Sequence, residues 1–361
     1  MTFPPDTARA WVDIDLAALV ANARTIIEAC GTRLLPMVKA NGYGLGAAQV
    51  AGALEQLDPW GYGVATVEEG AALRASGVHR PVLVVSPLSA DSLDSMLRHG
   101  FRPAIGDVEM LRRWLARSAS PFHLEIDTGM GRAGIRWDDE KALGEAAGAL
   151  TSAEGWEGIF THFHSADTDP ESVAAQWRRL QEVLSRLPRR PALVHAANSA
   201  ASFHGRTYAG DLVRPGIFLY GGAPGGSAPA PRPVAALRAR VLAVRAVAAG
   251  ESISYGATWR PTRRTTIATL GIGYADGVPR AANPAGCGPR LVELRGSVVP
   301  IVGRVTMDLC MVEVEDGQVT VGDVATLFGG IVSLDQQARS AGTISYELLT
   351  ALGNRVPRRY R

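Results

Sequence analysis

The chain changes its period at one place. Residues 221–233 (GGAPGGSAPAPRP) are almost entirely Gly, Pro, Ala and Ser, a composition that reads as a linker or exposed loop. Before it, apolar strand-like stretches alternate with amphipathic helical ones. The strand candidates are Leu34–Lys39, Trp60–Ala65, Val82–Ser86, Phe122–Asp127, Trp156–His162, Leu193–Ala196 and Leu212–Arg214. Helix candidates include Leu16–Ala29, Glu68–Ser76, Asp91–Arg98, Asp107–Arg117 and Pro170–Leu187. Continuous apolar strands separated by helices imply a parallel sheet covered on both faces. About eight such units in about 220 residues fit an α/β fold of the (β/α)8 TIM-barrel type, with a doubly wound open sheet as the alternative. After the linker, short β-type stretches follow at Leu237–Val247, Arg264–Leu270, Leu291–Leu294, Val298–Val302, Leu309–Val314 and Val324–Leu327, with one helix from Ser345 to about Leu352. The expected division is a barrel over 1–232 and a mainly β domain over 233–361.

Composition then excludes several classes. With 47% hydrophobic and 20% charged residues the chain has the make-up of a globular protein. A net charge of +2 without a basic, aromatic-interleaved patch lacks the footprint of a nucleic-acid binder, so no nucleic-acid partner is expected. No apolar stretch is long enough for a membrane span and the N-terminus lacks the pattern of a signal peptide. The cysteines, Cys30, Cys287 and Cys310, are few, odd in number and far apart, and none stands at metal-ligand spacing. These features lead us to expect a cytoplasmic protein without a metal.

In a (β/α)8 barrel the polar residues at the C-terminal strand ends carry the chemistry. Lys39 ends the apolar stretch LLPMV and precedes Ala-Asn-Gly-Tyr-Gly. Burial there would lower its pKa toward the neutral amine that carbonyl chemistry requires, whereas its position alone favours a lysine reaching out to water. The surrounding residues decide between the two. Met37–Gly44 (MVKANGYG) resembles the cofactor-lysine signature of the alanine racemase family. Further segments resemble that family in the same order: Asp127–Gly134 (DTGMGRAG), Thr161–Phe163, Ala197–Ser199, Val213–Gly221 (VRPGIFLYG), Ser254–Gly256, Ile272–Gly277 (IGYADG), Val302–Asp308 (VGRVTMD) and Ile344–Glu347. Nine matches in order over nearly the whole chain are far more specific than any one of them.

The resemblance implies a pyridoxal 5'-phosphate (PLP) enzyme that interconverts L- and D-alanine and supplies D-alanine for peptidoglycan. It implies Lys39 as the cofactor lysine and as the base on the D face. Tyr255 is then the opposing base on the L face, contributed by the second subunit of a homodimer with shared sites. A free tyrosine is a poor base at neutral pH, so cations beside it are expected. Arg214 is implied to face the pyridine nitrogen, which it cannot deprotonate because guanidinium only donates. His162 would link Arg214 to the tyrosine. The phosphate would be met by Tyr43, Ser199, the backbone of Gly216 and Ile217, and Tyr346. Asn198 would orient the cofactor or Arg132. Arg132, Met307 and Asp308 are implied at the substrate end, and Tyr274 narrows the access corridor.

One motif is a decoy and four positions depart from the family. Gly129-Met-Gly131-Arg-Ala-Gly134 spells GxGxxG, but no acidic residue stands where a dinucleotide site needs one, and tight turns around Arg132 explain the glycines. Glu125 occupies a position where many members of the family carry a carbamylated lysine; its carboxylate is expected to supply a comparable charge. Leu45, His164 and Leu309 replace residues usual for the family, and the last two bear on which small amino acid fits. Alternatives are a racemase for another amino acid such as serine, a fold-related PLP decarboxylase, and a non-catalytic PLP carrier. Tyr255 in a Ser-Tyr-Gly turn speaks for racemisation, and the β domain against a carrier.

Overall fold

The computed structural model describes residues 7–280 and 288–361; Cys287 and the first six residues lie outside them. The helices begin where the sequence places short polar caps. Asp15 accepts from the Ala18 N–H at 2.8 Å, Asp107 from Met110 at 2.7 Å and Asp139 from Ala142 at 3.0 Å, opening the helices Leu16–Cys30, Val108–Arg117 and Glu140–Leu150. Pro170 starts the helix Pro170–Arg186, where its missing N–H costs nothing.

Between the helices lie parallel strands at Tyr62–Val64, Val82–Pro87, Arg102–Ile105, Phe122–Asp127, Trp156–Phe160 and Leu193–His195, paired in that order. The pair Leu212–Val213 and Arg33–Leu34 closes the ring. On one side, Asp211 and Arg214 N–H donate to the carbonyls of Val194 and Ala197; on the other, Met37 bridges to Gly63. The result is the expected barrel, in which Phe122, Leu124 and Ile126 alternate with His123, Glu125 and Asp127. All six are buried, and the polar three belong to the barrel interior and its mouth.

After the linker a β domain follows. Its sheet is built on the 13-residue strand Ala235–Val247, which pairs with Thr265–Leu270 and Val324–Phe328 and carries Ala10–Ile14 alongside. The first strand of the chain thus lies in the sheet of the second domain, flanked in parallel by Arg358–Tyr360. Besides the expected C-terminal helix, seen as Ser345–Thr350, a second one spans Leu334–Ser340, capped by Ser333. Among the described residues no helix is long and apolar enough to cross a membrane.

Candidate active site

At the C-terminal end of the barrel a cavity of about 550 Å³ is lined by Lys39, Tyr43, Glu69, Glu125, Arg132, His162, Asn198, Ser199, Arg214, Gly216, Ile217 and Tyr346, among others. Every barrel residue expected at the site lines it. Lys39 is half-buried, and its amine is held below the ordinary lysine range by desolvation and by the charges of Arg132 and Arg214, against an opposing pull from Glu69.

The turn that carries Lys39 is unusual. Ala40, Asn41, Gly42, Tyr43 and Gly44 all have positive φ (52°, 53°, 63°, 53° and 80°), a full left-handed turn that costs roughly 1–2 kcal/mol per non-glycine residue. Surrounding bonds hold it in place. Glu69 accepts from the Ala40 N–H and, with its other oxygen, from Ala65 N–H, both at 2.7 Å. Asn41 Oδ1 accepts from Ala47 N–H at 3.0 Å, and the Gly44 and Leu45 carbonyls accept from Arg358 and Tyr360. Glu69 was not singled out from sequence. Its only sequence signal is its place one turn into a Thr66-capped helix beside the lysine loop.

At the far end of the lysine turn, hydroxyls and bare backbone converge. Tyr43 is buried and stacked on Tyr220 at 4.5 Å, and Tyr346 leans on it at 6.1 Å. Ser199 Oγ accepts from the Gly216 and Phe218 N–H groups at 2.9 and 3.4 Å, leaving its O–H to donate. A Cβ on Gly216 would sit 2.2 Å from Tyr43 Oη, so only glycine lets this backbone approach the phenol. Asn198 is fixed by donating to the Phe163 carbonyl and accepting from Ala201 N–H.

Arg214 is fully buried under Phe160, which it faces at 5.1 Å. Its NH1 donates to His195 Nδ1 at 2.7 Å and to the His195 carbonyl at 3.0 Å. Its NH2 donates to the Thr161 carbonyl at 2.7 Å, the Ala196 carbonyl at 3.2 Å and His162 Nδ1 at 3.2 Å. These bonds leave Nε–H as the guanidinium donor open to a ligand. Burial lowers the Arg214 pKa to about 10, still cationic at neutral pH. Burial and the Arg214, Arg132 and Lys39 charges push His162 down to about 3, so it is neutral.

The departures have distinct fates. Glu125 is buried with Oε2 lacking any protein partner, and desolvation raises its carboxyl despite the pull of Arg132 and Arg214. Leu45 is a core residue. His164 Nδ1 pairs with Ser165 Oγ at 2.7 Å. In the decoy, Gly129 and Gly131 N–H both donate to Asp127 Oδ1; a short strand, Ile135–Arg136, follows where a dinucleotide site needs a helix.

Of the β-domain residues expected at the site, Tyr346 joins this cavity, whereas Tyr255, Tyr274, Met307 and Asp308 do not line it within one chain. Tyr255 is 69% exposed on a 3-10 turn and, with Ser254, Thr306 and Leu309, lines a separate hollow of about 410 Å³. Met307 (52%) and Tyr274 (39%) are exposed as well, and the Asp308 carboxylate is paired with Arg355 at 2.6 Å.

A barrel with a lysine at its mouth and a β domain presenting exposed phenols defines a class of two-domain enzymes. Comparison with known proteins gives the family. The model of the alanine racemase N-terminal domain matches residues 14–224 and that of its C-terminal domain residues 234–360. The chain belongs to the alanine racemase family. An alanine racemase of Deinococcus radiodurans is 40% identical over 97% of this chain and 99% of its own, and that of Symbiobacterium thermophilum is 39% identical over 97% and 96%. Among solved structures, the alanine racemase of the D-cycloserine producer Streptomyces lavendulae matches at TM-score 0.91 and 29% identity, over 100% of this chain and 98% of its own. That of Bartonella henselae, with covalently bound pyridoxal phosphate, matches at 0.89 and 31%, over 98% and 100%.

Proposed function

We propose that this chain racemises alanine with PLP held by Lys39, in a homodimer whose sites each combine the barrel of one subunit with the β domain of the other. The carrying observation is the cavity itself: one desolvated amine, three hydroxyls around glycine-bared backbone, and a buried arginine. This donor set fits PLP. Tyr43, Ser199, Tyr346 and the backbone of Gly216 and Ile217 would take the phosphate, since an anion is best met by hydroxyls and N–H groups. Asn198 and Arg132 would flank the ring, and the Arg214 Nε–H would face the pyridine nitrogen. Bound there, PLP supplies the electron sink that makes an amino acid's α-hydrogen acidic.

The residues of the chain do the rest. Arg214 donates without accepting, so it keeps the ring nitrogen unprotonated and limits side reactions. Lys39 Nζ takes or returns the α-proton on the D face. Tyr255 Oη of a second copy does so on the L face, with the Met307 and Asp308 segment closing the substrate end beside Arg132 and Tyr274 narrowing the access corridor. His162, neutral and bonded to Arg214, lies between that arginine and the incoming phenol. Glu125 sets the charge near Arg132. The D-alanine formed would serve peptidoglycan synthesis in the cytoplasm.

Two measurements test this. The purified protein should show the visible absorbance band of lysine-bound PLP, lost in Lys39→Ala. Solvent deuterium should enter the α position of both L- and D-alanine, and Tyr255→Phe should slow exchange mainly from the L side. A band without exchange on alanine, but with exchange on serine, would move the substrate assignment and leave the chemistry.

A further inference from the structure

Two buried histidines take no part in the chemistry above. His123 and His195 are both fully buried in the barrel interior, on the strands Phe122–Asp127 and Leu193–His195. The strand Trp156–Phe160 separates those two, yet the rings meet: His123 Nδ1 and His195 Nε2 are 2.7 Å apart. They meet because the residue between them is Gly158, where a Cβ would stand 2.7 Å from His123 Nδ1. On one side His195 Nδ1 is 2.7 Å from Arg214 NH1. On the other, His123 Nε2 is 3.3 Å from Glu157 Oε2, which Arg102 also reaches at 3.2 Å. The Glu157 side chain is 24% exposed, so this end touches water.

We propose that Arg214, His195, His123 and Glu157 form a one-way chain of hydrogen bonds through the barrel, which makes the three residues behind Arg214 positioning residues for its guanidinium. The direction follows from donor counting. Arginine has only donors, so His195 Nδ1 must accept and carry no proton. A neutral His195 then has its proton on Nε2 and donates it to His123 Nδ1. That ring in turn carries its proton on Nε2 and donates to the Glu157 carboxylate. Protonating either ring would set two N–H groups against each other, so both stay neutral while the chain is intact. Desolvation and the Arg214 charge act in the same sense on both histidines. Burial alone would raise Glu157, but bonds from His123 and Arg102 outweigh it and hold the carboxyl below its ordinary range, which keeps the chain anchored on an anion. Each bond polarises the next, and the cation at the cavity is answered by a charge at the far end of the barrel. The functional part of this inference rests on Arg214 facing the cofactor; the chain itself does not.

The test uses the full-length protein without cofactor, labelled with 15N-histidine. Both rings should show the Nε2–H tautomer and neither should titrate between about pH 5 and 8. Glu157→Leu should shift the ring signals of His195 as well as those of His123, although Glu157 touches only the latter. In the PLP-loaded enzyme, His195→Leu should lower kcat roughly tenfold with little change in KM, the scale seen when partners that orient an active-site group are lost. His195→Gln, which can still accept and donate, should recover most of it. An Nδ1–H signal on either ring, titration in that window, a Glu157→Leu effect confined to His123, or a His195→Gln enzyme as impaired as His195→Leu would each overturn the proposal. If His195→Leu does not fold, the Glu157→Leu spectrum decides alone. Loss of the PLP band in the wild type would sink the proposed function and leave the spectra to judge the chain.

Discussion

The barrel and the β domain present their reactive groups in opposite states. In the barrel, Arg214 is buried and spends NH1 and NH2 on five acceptors, while Lys39 stands before a turn tied down by Glu69, Asn41, Arg358 and Tyr360. In the β domain, Tyr255, Met307 and Tyr274 are exposed on turns. One half is organised before any ligand arrives; the other, in the dimer proposed above, would be covered by a second subunit.

The sharpest way to break this contrast is to mix two dead proteins. Lys39→Ala retains Tyr255 and Tyr255→Phe retains Lys39, so a mixed dimer with shared sites holds one intact site. Each homodimer should lose at least about 10²–10⁴-fold in rate, the share of a positioned base. Mixing after subunit exchange should restore activity far above either; no recovery would place both bases within one chain. A smaller effect is expected at the lysine turn. Glu69→Leu removes two charge-assisted bonds to backbone N–H groups and should destabilise the protein by about 3 kcal/mol in chemical denaturation, with a weaker PLP band. An unchanged midpoint would show that the turn needs no such support.

The smallest effect concerns Glu125. Its folded pKa is raised above the ordinary 4.5, so ionising it costs the folded state. In the cofactor-free form, Glu125→Gln should match wild type below pH 4.5 and become the more stable protein as pH rises through the raised folded pKa. The same substitution should change kcat or KM if the carboxylate tunes Arg132. Unchanged kinetics would leave Glu125 as a buried acid without function.

Much of this architecture was legible from residue patterns, because strands read as short β-rich stretches set between helix and turn signals. Phe122–Asp127 and Leu291–Leu294 fall where they were expected. The strand Arg102–Ile105 was missed because Pro103 hides it, and Ala10–Ile14 because a strand ahead of a barrel gives no hint that it joins another sheet. The site's residues were readable from ordered motifs, but its geometry was not. Gly42, Gly44 and Asn41 hint at left-handed backbone, whereas Ala40 and Tyr43 argue against it, and tertiary bonds decide. His123 and His195 could have been noticed as histidines inside apolar strands. Only the ring-sized gap at Gly158 shows that they touch.

The bonds from Arg358 and Tyr360 to Gly44 and Leu45 join positions 314 and 315 residues apart in the chain. Anything that displaces the strand Arg358–Tyr360 therefore pulls on the lysine turn. Tension on that strand reaches the backbone beside the reactive amine through the Gly44 and Leu45 carbonyls.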